Sequence, residues 1–262
     1  AAFSNDGKGV QTADTMLQAM QAAAKVNKPL VAHLEDDSLL HGGVMNAGAQ
    51  AEKIGLPGIT GLAESSQLAR DLVLAKATGV HYHVAHISTK ASVDLVRIAK
   101  QQGVKVTAEV SPHHLLLADT AITSDNALFK MNPPLRSQED RQAVLAGLID
   151  GTIDMVATDH APHGMVEKAQ SFKLAPFGIT GIETSFQLLY TKPVKTGIIT
   201  LATLIERMLI APVNAFNLEA PVSVTVGATA DLVLFDLAHK DTISADEFVS
   251  LGKNTPFIGW EV

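Results

Sequence analysis

The 262-residue sequence contains no cysteine. Disulfides and thiolate metal sites are therefore excluded, and any metal must be held by histidine and carboxylate. It has no surplus of positive charge either: 20 Lys and Arg stand against 27 Asp and Glu, a net charge of -7. That balance argues against nonspecific binding to nucleic-acid phosphates. No apolar run reaches membrane-spanning length. The N-terminus lacks the basic-then-apolar pattern of a secretion signal, so the expected location is the cytoplasm. An initiator Met is missing too. The chain opens Ala1-Ala2-Phe3 and enters at once what reads as the end of a strand, so it is expected to be a fragment. Charged residues are few, 18% against 47% hydrophobic, which is the composition of a core-rich globular protein.

What is present has a rhythm. Residues 12–25 read as a helix with Met16, Met20 and Ala23 on one face and Thr12 or Asp14 at its start. Asn27, Lys28 and Pro29 break it. Leu30 to Glu35 is a short apolar strand ending in His and Glu. A Gly-rich loop follows, with a helix near 48–54, and then a long helix over 63–78. The next strand, His81 to Ile87, again finishes in His. A helix over 91–102 closes at Gly103, a strand covers 104–110, and a helix covers 137–149. Ile153 to Thr158 is apolar and β-branched, and it ends abruptly in Asp159-His160-Ala161-Pro162-His163. Repeated strand–helix units predict a parallel sheet in an α/β fold.

The pattern then stops. Residues 183–190 and 201–216 read as helices, and Val222 to Phe235 alternates like β-structure with turns. The expected architecture is a partial (β/α)8 TIM barrel, its C-terminal half, over residues 1–217. A small β-rich region over 218–262 would be part of a second domain. The rest of the barrel would lie N-terminal to residue 1.

His33, His86 and Asp159 close three of these strands, and Asp6 follows the apolar start. A lone strand-end histidine is usually just a satisfied polar residue, and a turn cap is the lesser reading of Asp159 alone. Parallel barrel strands, however, deliver their C-terminal ends to one mouth. Imidazole nitrogens with carboxylate oxygens are the ligand set of a catalytic zinc. Together they predict a metal site of Asp6, His33, His86 and Asp159. His81 and His83 sit early in their strand and read as structural. His41 and His239 read as surface residues, and His113 and His114 as loop packing near the site.

Several runs then match a family. Phe3-Ser4-Asn5-Asp6-Gly7, Val31-Ala32-His33-Leu34-Glu35, His83 to Lys90 and Glu109 to His114 occur in order. Lys130-Met131-Asn132-Pro133-Pro134-Leu135-Arg136, Ala157 to His163 and Ala175 to Gly181 follow. The sequence closely resembles the class I bacterial dihydroorotases of the amidohydrolase superfamily, across essentially its whole length.

The resemblance implies roles. His33 and His86 would hold one zinc, with Asp6 as the carboxylate bridging two. Asp159 would be the catalytic carboxylate, also touching metal. Asn132, His163, Phe177 and Gly178 would contact substrate. The cofactor would be Zn2+, two ions per complete site, one ligand set lying upstream. Zinc-activated water would open the cyclic amide of dihydroorotate to carbamoyl aspartate, with the reverse serving pyrimidine synthesis. The partners implied are this small substrate, with a homodimer and an aspartate transcarbamoylase association left open; nucleic acid and membrane are not among them. Two departures stand out. Asn5 replaces a usual Asp, and the family's first-strand His-x-His pair and neighbouring arginine have no counterpart. A related cyclic amidase (allantoinase or dihydropyrimidinase) is one rival. The Lys130–Arg136 run and Asp6 in place of a bridging lysine weigh against it. A metal-free scaffold of aspartate transcarbamoylase is the other.

Overall fold

The computed structural model describes all of residues 1–262. Its first half is built of strand–helix units. β1 (Phe3–Ser4) leads to α1 (Ala13–Lys25), β2 (Leu30–Ala32) and a small excursion of β3 (Met45–Asn46), α2 (Ala49–Ile54) and β4 (Gly58–Ile59). Then come α3 (Leu62–Thr78), β5 (Tyr82–Val84), α4 (Lys90–Gln101), β6 (Val106–Val110), α5 (Pro112–Leu116), α6 (Gln138–Asp150) and β7 (Met155–Val156). β1, β2, β5, β6 and β7 form one sheet in that order, and every pairing is parallel. This is the α/β arrangement expected, with β1 as a fifth strand. β3 and β4 pair separately, also in parallel, and were not anticipated.

The helices start where side chains can cap them. Thr12 accepts from the Thr15 amide, Thr89 from Ser92 and Ser137 from Asp140. Each satisfies an amide that the first turn leaves unpaired. α3 and α6 end at Gly79 and Gly151, both left-handed, the backbone that glycine adopts without strain. The predicted face of α1, Met16, Met20 and Ala23, is buried. It joins Leu68, Tyr82, Val96, Val144 and Ile153 in the main core between helices and sheet. A second core around Met45, Met131, Leu135, Phe172 and Phe257 packs under the loops.

After β7 come α7 (Met165–Lys168), α8 (Ser185–Leu189), α9 (Leu201–Ile205) and α10 (Ala211–Phe216). π-helical turns at Tyr190–Val194 and Glu206–Ile210 extend α8 and join α9 to α10. Pro193 lies within the first and Pro212 just after the second. Proline has no amide hydrogen and crowds the carbonyl one turn back, so the helix widens locally. The β-structure expected over Val222–Phe235 is not formed: residues 218–241 contain no strand, and only an isolated Thr242–Glu261 bridge follows. The alternation is real, but no neighbouring strand is there to pair with it. No helix is long and apolar enough to cross a membrane.

Candidate metal centre and its surroundings

Because β1, β2 and β5 are adjacent and in register, Phe3 opposes Leu30 and Leu30 opposes Tyr82. The residues just past each strand therefore emerge together. His33 Nδ1 lies 3.0 Å from His86 Nε2, with the rings edge to face. Asp6 Oδ1 is 3.8 Å from the first nitrogen and 3.5 Å from the second. One ligand atom from each of Asp6, His33 and His86 lies within 4.8 Å of the others. Both histidines are buried and the carboxylate is exposed.

Burial draws the His86 imidazole down, but its hydrogen bond to Asp6 and the charges of Asp159 and Glu109 outweigh this and lift it to about 9. The same hydrogen bond to His86 holds Asp6 below the usual carboxylate range. Nitrogens at about 2.0–2.1 Å around one tetrahedral zinc stand roughly 3.3 Å apart, close to the His33–His86 spacing. The donor set and this spacing suit a divalent cation.

Asp159 is not part of the triplet. Its carboxylate faces His113, Nε2 to Oδ2 at 3.8 Å. Burial raises its pKa, the His86 charge opposes this, and Asp6 and Glu109 add to it. Asp159 and His86 both have left-handed backbone, φ 49° and 32°. Such strain in non-glycine residues persists only where the surroundings over-determine it. His113 is buried, its Nε2 has no hydrogen-bond partner, and burial holds its pKa well below the ordinary value. Its aim at Asp159 differs from the expected loop packing. His114 does pack: Nδ1 meets Ser111 Oγ at 2.6 Å and Nε2 meets the Pro133 carbonyl at 3.0 Å. His81 and His83 share the Thr107 hydroxyl, and His83 also meets Glu109 at 2.9 Å. They spell His-x-His, but His81 immediately precedes β5 and His83 lies within it, as structural residues.

Asn5 has a defined job. Its Oδ1 accepts from the His33 amide at 3.0 Å, and its Nδ2 donates to the carbonyls of His33 and Lys8. An ionised aspartate could accept but not donate, so Asn5 buttresses His33 from both sides.

Of the residues expected to meet substrate, Asn132 stands beside His33 and Glu35, while His163, Phe177 and Gly178 meet one another in a loop. The Asn132 amide donates to Glu35 and lies 3.4 Å from His33 Nε2. Nothing in the sequence marks Glu35; burial opposes its charge, but hydrogen bonds from His33 and Asn132 keep its pKa low. His163 Nε2 bonds the Phe177 carbonyl at 2.7 Å. Gly178 has φ 120°, and a Cβ there would lie 2.5 Å from that of Ala161, so only glycine fits. Asn254, also unforeseen, clasps the loop: it accepts from the His163 amide and donates to the carbonyls of Ala161 and Gly178.

Two buried lysines staple the same loop. Lys130 donates to the carbonyls of Lys173 and Ala175, and Lys168 to those of Lys130 and Pro176. Burial, then the Lys130 charge, brings the Lys168 ammonium down to about 8.

Residues 1–260 match the sequence pattern of the Amidohydrolase family. The chain belongs to that family. It is 59% identical over 261 residues to the dihydroorotase of Ligilactobacillus salivarius and 58% identical to that of Enterococcus faecalis. Each alignment covers 100% of this chain and 61% of the relative. The chain thus spans about three-fifths of the length of these relatives. Among solved structures, a D-hydantoinase (dihydropyrimidinase) from Thermus sp. superposes with a TM-score of 0.85 at 26% identity. It matches 100% of this chain and 60% of its own. The sheet is therefore part of an amidohydrolase barrel, and the triplet stands at the C-terminal strand ends, where such barrels carry their chemistry.

Proposed function

We propose that this chain carries the larger part of a zinc-dependent dihydroorotase site, opening dihydroorotate to N-carbamoyl-L-aspartate and closing it again in pyrimidine synthesis. The observation that carries the reading is the convergence of Asp6, His33 and His86 within 4.8 Å, in a chain 59% identical to a dihydroorotase. Residues 1–217 are the barrel portion and 218–262 part of a smaller domain. His33, His86 and Asp6 hold the metal, with Asp159 beside them.

Zinc, when bound, supplies a positive charge that activates water and polarises the amide carbonyl. The chain's own residues do the rest. Asp159, its pKa raised by burial, takes a proton from the attacking side and returns it to the departing ring nitrogen. Run backwards, the same carboxylate serves ring closure. Asn132, His163, Phe177 and Gly178 orient the ring; the Lys130, Lys168 and Asn254 bonds hold their loop. The substrate carboxylate needs a cationic partner, as such charge-assisted bonds are strong. The reading places that cation and a His-x-His pair on a first barrel strand, for which this chain has no counterpart. The partner this reading requires is the small-molecule substrate.

The test is hydrolysis of dihydroorotate by residues 1–262 loaded with zinc, beside a protein that also carries the first-strand histidines and arginine. Activity is expected only in the longer protein, and lost again on Asp159→Ala. Equal turnover by both would reject the need for the first strand. Turnover of dihydrouracil or hydantoin in preference to dihydroorotate would favour a dihydropyrimidinase instead.

A further inference from the structure

Behind the metal triplet lies a second group of charges that touches none of its ligand atoms. Glu64, in the first turn of α3, is 2% exposed, and Arg136 is 4% exposed. They do not form a tight bidentate pair: Arg136 Nη2 stands 3.9 Å from Glu64 Oε2. Ser88 lies between them. Arg136 Nε donates to the Ser88 hydroxyl at 3.0 Å, and that hydroxyl donates to Glu64. Glu64 also accepts from the amides of Ser88 and Thr89 and from the Thr89 hydroxyl, each at 3.1 Å. One carboxylate thus collects four hydrogen bonds from two consecutive residues.

Those two residues follow His86 with only Ile87 between. Thr89 is also the N-cap of α4, so the Glu64 carboxylate faces the positive end of that helix as well as Arg136. Burial opposes its charge, but Arg136 and the Ser88 hydrogen bond outweigh burial and keep Glu64 ionised. The packing leaves no slack: a Cβ on Gly61 would sit 3.1 Å from Thr89 Cγ2. Taking both charges out of water is costly and adds little net stability over apolar packing. It does fix geometry, and geometry is what is unusual next door. His86 is held at φ 32°, a conformation its own sequence disfavours. Arg136 further bonds Asn46 and the Ile59 carbonyl. It also ends the run that carries Asn132, so one node references the metal side to the substrate side.

We propose that Glu64 is a positioning residue for the metal centre, holding the Ser88–Thr89 turn so that the His86 imidazole meets His33 and Asp6. This rests on the reading of His86 as a metal ligand. The test uses residues 1–262 and cobalt(II) as the probe, with uptake and the visible d–d spectrum as readouts. The His86 ring resonances of the metal-free protein are recorded by NMR alongside. Glu64→Gln, which turns one acceptor into a donor facing donors, should weaken cobalt at least tenfold, shift the d–d band and move the His86 resonances. Met20→Ala, a core change distant from the site, should lower thermal stability and leave all three in place. Ser88→Ala is the second variant if Glu64→Gln does not fold. Unchanged affinity, band and resonances in folded Glu64→Gln or Ser88→Ala would overturn the proposal while leaving the metal reading intact. If the parent chain takes up no cobalt, the metal reading fails; the resonances then decide whether Glu64 positions His86.

Discussion

Val106–Val110 is flanked by a strand on each side, while Val222–Phe235 is flanked by none. The first alternates between buried and half-buried residues, and Val110 is fully buried. The second leaves Val224, Val226 and Leu234 in solvent, Leu234 at 98% exposure. Both stretches carry the β-branched, alternating pattern that favours strands. The difference is pairing. A strand is stabilised by cross-strand neighbours and a covered face, and an isolated one forms neither. The barrel portion is a set of mutually supporting pairs; residues 218–241 are a pattern without partners.

The largest effect that could break this contrast is in the barrel core. Leu68→Ala should cost about 2–5 kcal/mol, because it removes buried methyls and leaves a cavity between α3 and its neighbours. Urea unfolding measures it. A cost under about 1 kcal/mol would mean that the barrel portion is as loosely packed as the tail.

The response to acid comes next. Burial, helped by the His86 charge, pulls the His114 imidazole from 6.5 to about 4. The folded protein therefore binds this proton less tightly than the unfolded chain. Unfolding takes up a proton between pH 6.5 and about 4, so stability falls as pH drops through that window. His114→Gln should remove roughly one proton's worth of that slope. An unchanged slope would place the acid sensitivity elsewhere.

Metal uptake sharpens the comparison at smaller scale. His33→Ala should weaken cobalt or zinc at least tenfold, about 1.4 kcal/mol or more, whereas His239→Ala, in the unpaired tail, should not alter it. Titration of both variants would show whether the tail shares the site. Thr12→Ala should cost about 1 kcal/mol through the lost cap of α1, seen as a lower urea midpoint. Smallest of all, Leu234→Ala should change stability by less than about 0.5 kcal/mol. A larger loss would mean that the tail is packed after all.

The legible parts of the molecule were those written locally. α1, α3, α4 and α6 announced themselves through caps, periodic apolar faces and closing glycines. The ends of β2, β5 and β7 were marked by polar residues after apolar runs, and with Asp6 they led to the triplet. The expected fourth member, Asp159, reached the neighbourhood but faces His113. What the local sequence does not reveal depends on partners far along the chain. Asn46 bonds Asp119 and Arg136, and Asn254 bonds Ala161 and Gly178. Glu64 would pass for an ordinary first-turn acid. Short β3 and β4 have too few residues to show a period. The tail erred the other way, since alternation announces a willingness to pair and says nothing of the partner.

The lysine staple makes one amine a clock. Burial brings the Lys168 ammonium down to about 8, which favours an uncharged, nucleophilic amine more than at an ordinary lysine, yet the residue is only 3% exposed. An acylating reagent cannot reach Nζ while it bonds the Lys130 and Pro176 carbonyls. Modification of Lys168 should therefore proceed only through openings of the loop, far slower than at exposed Lys90, and follow their frequency. Mass-spectrometric labelling at this position would then time the opening of the segment that carries His163 and Gly178.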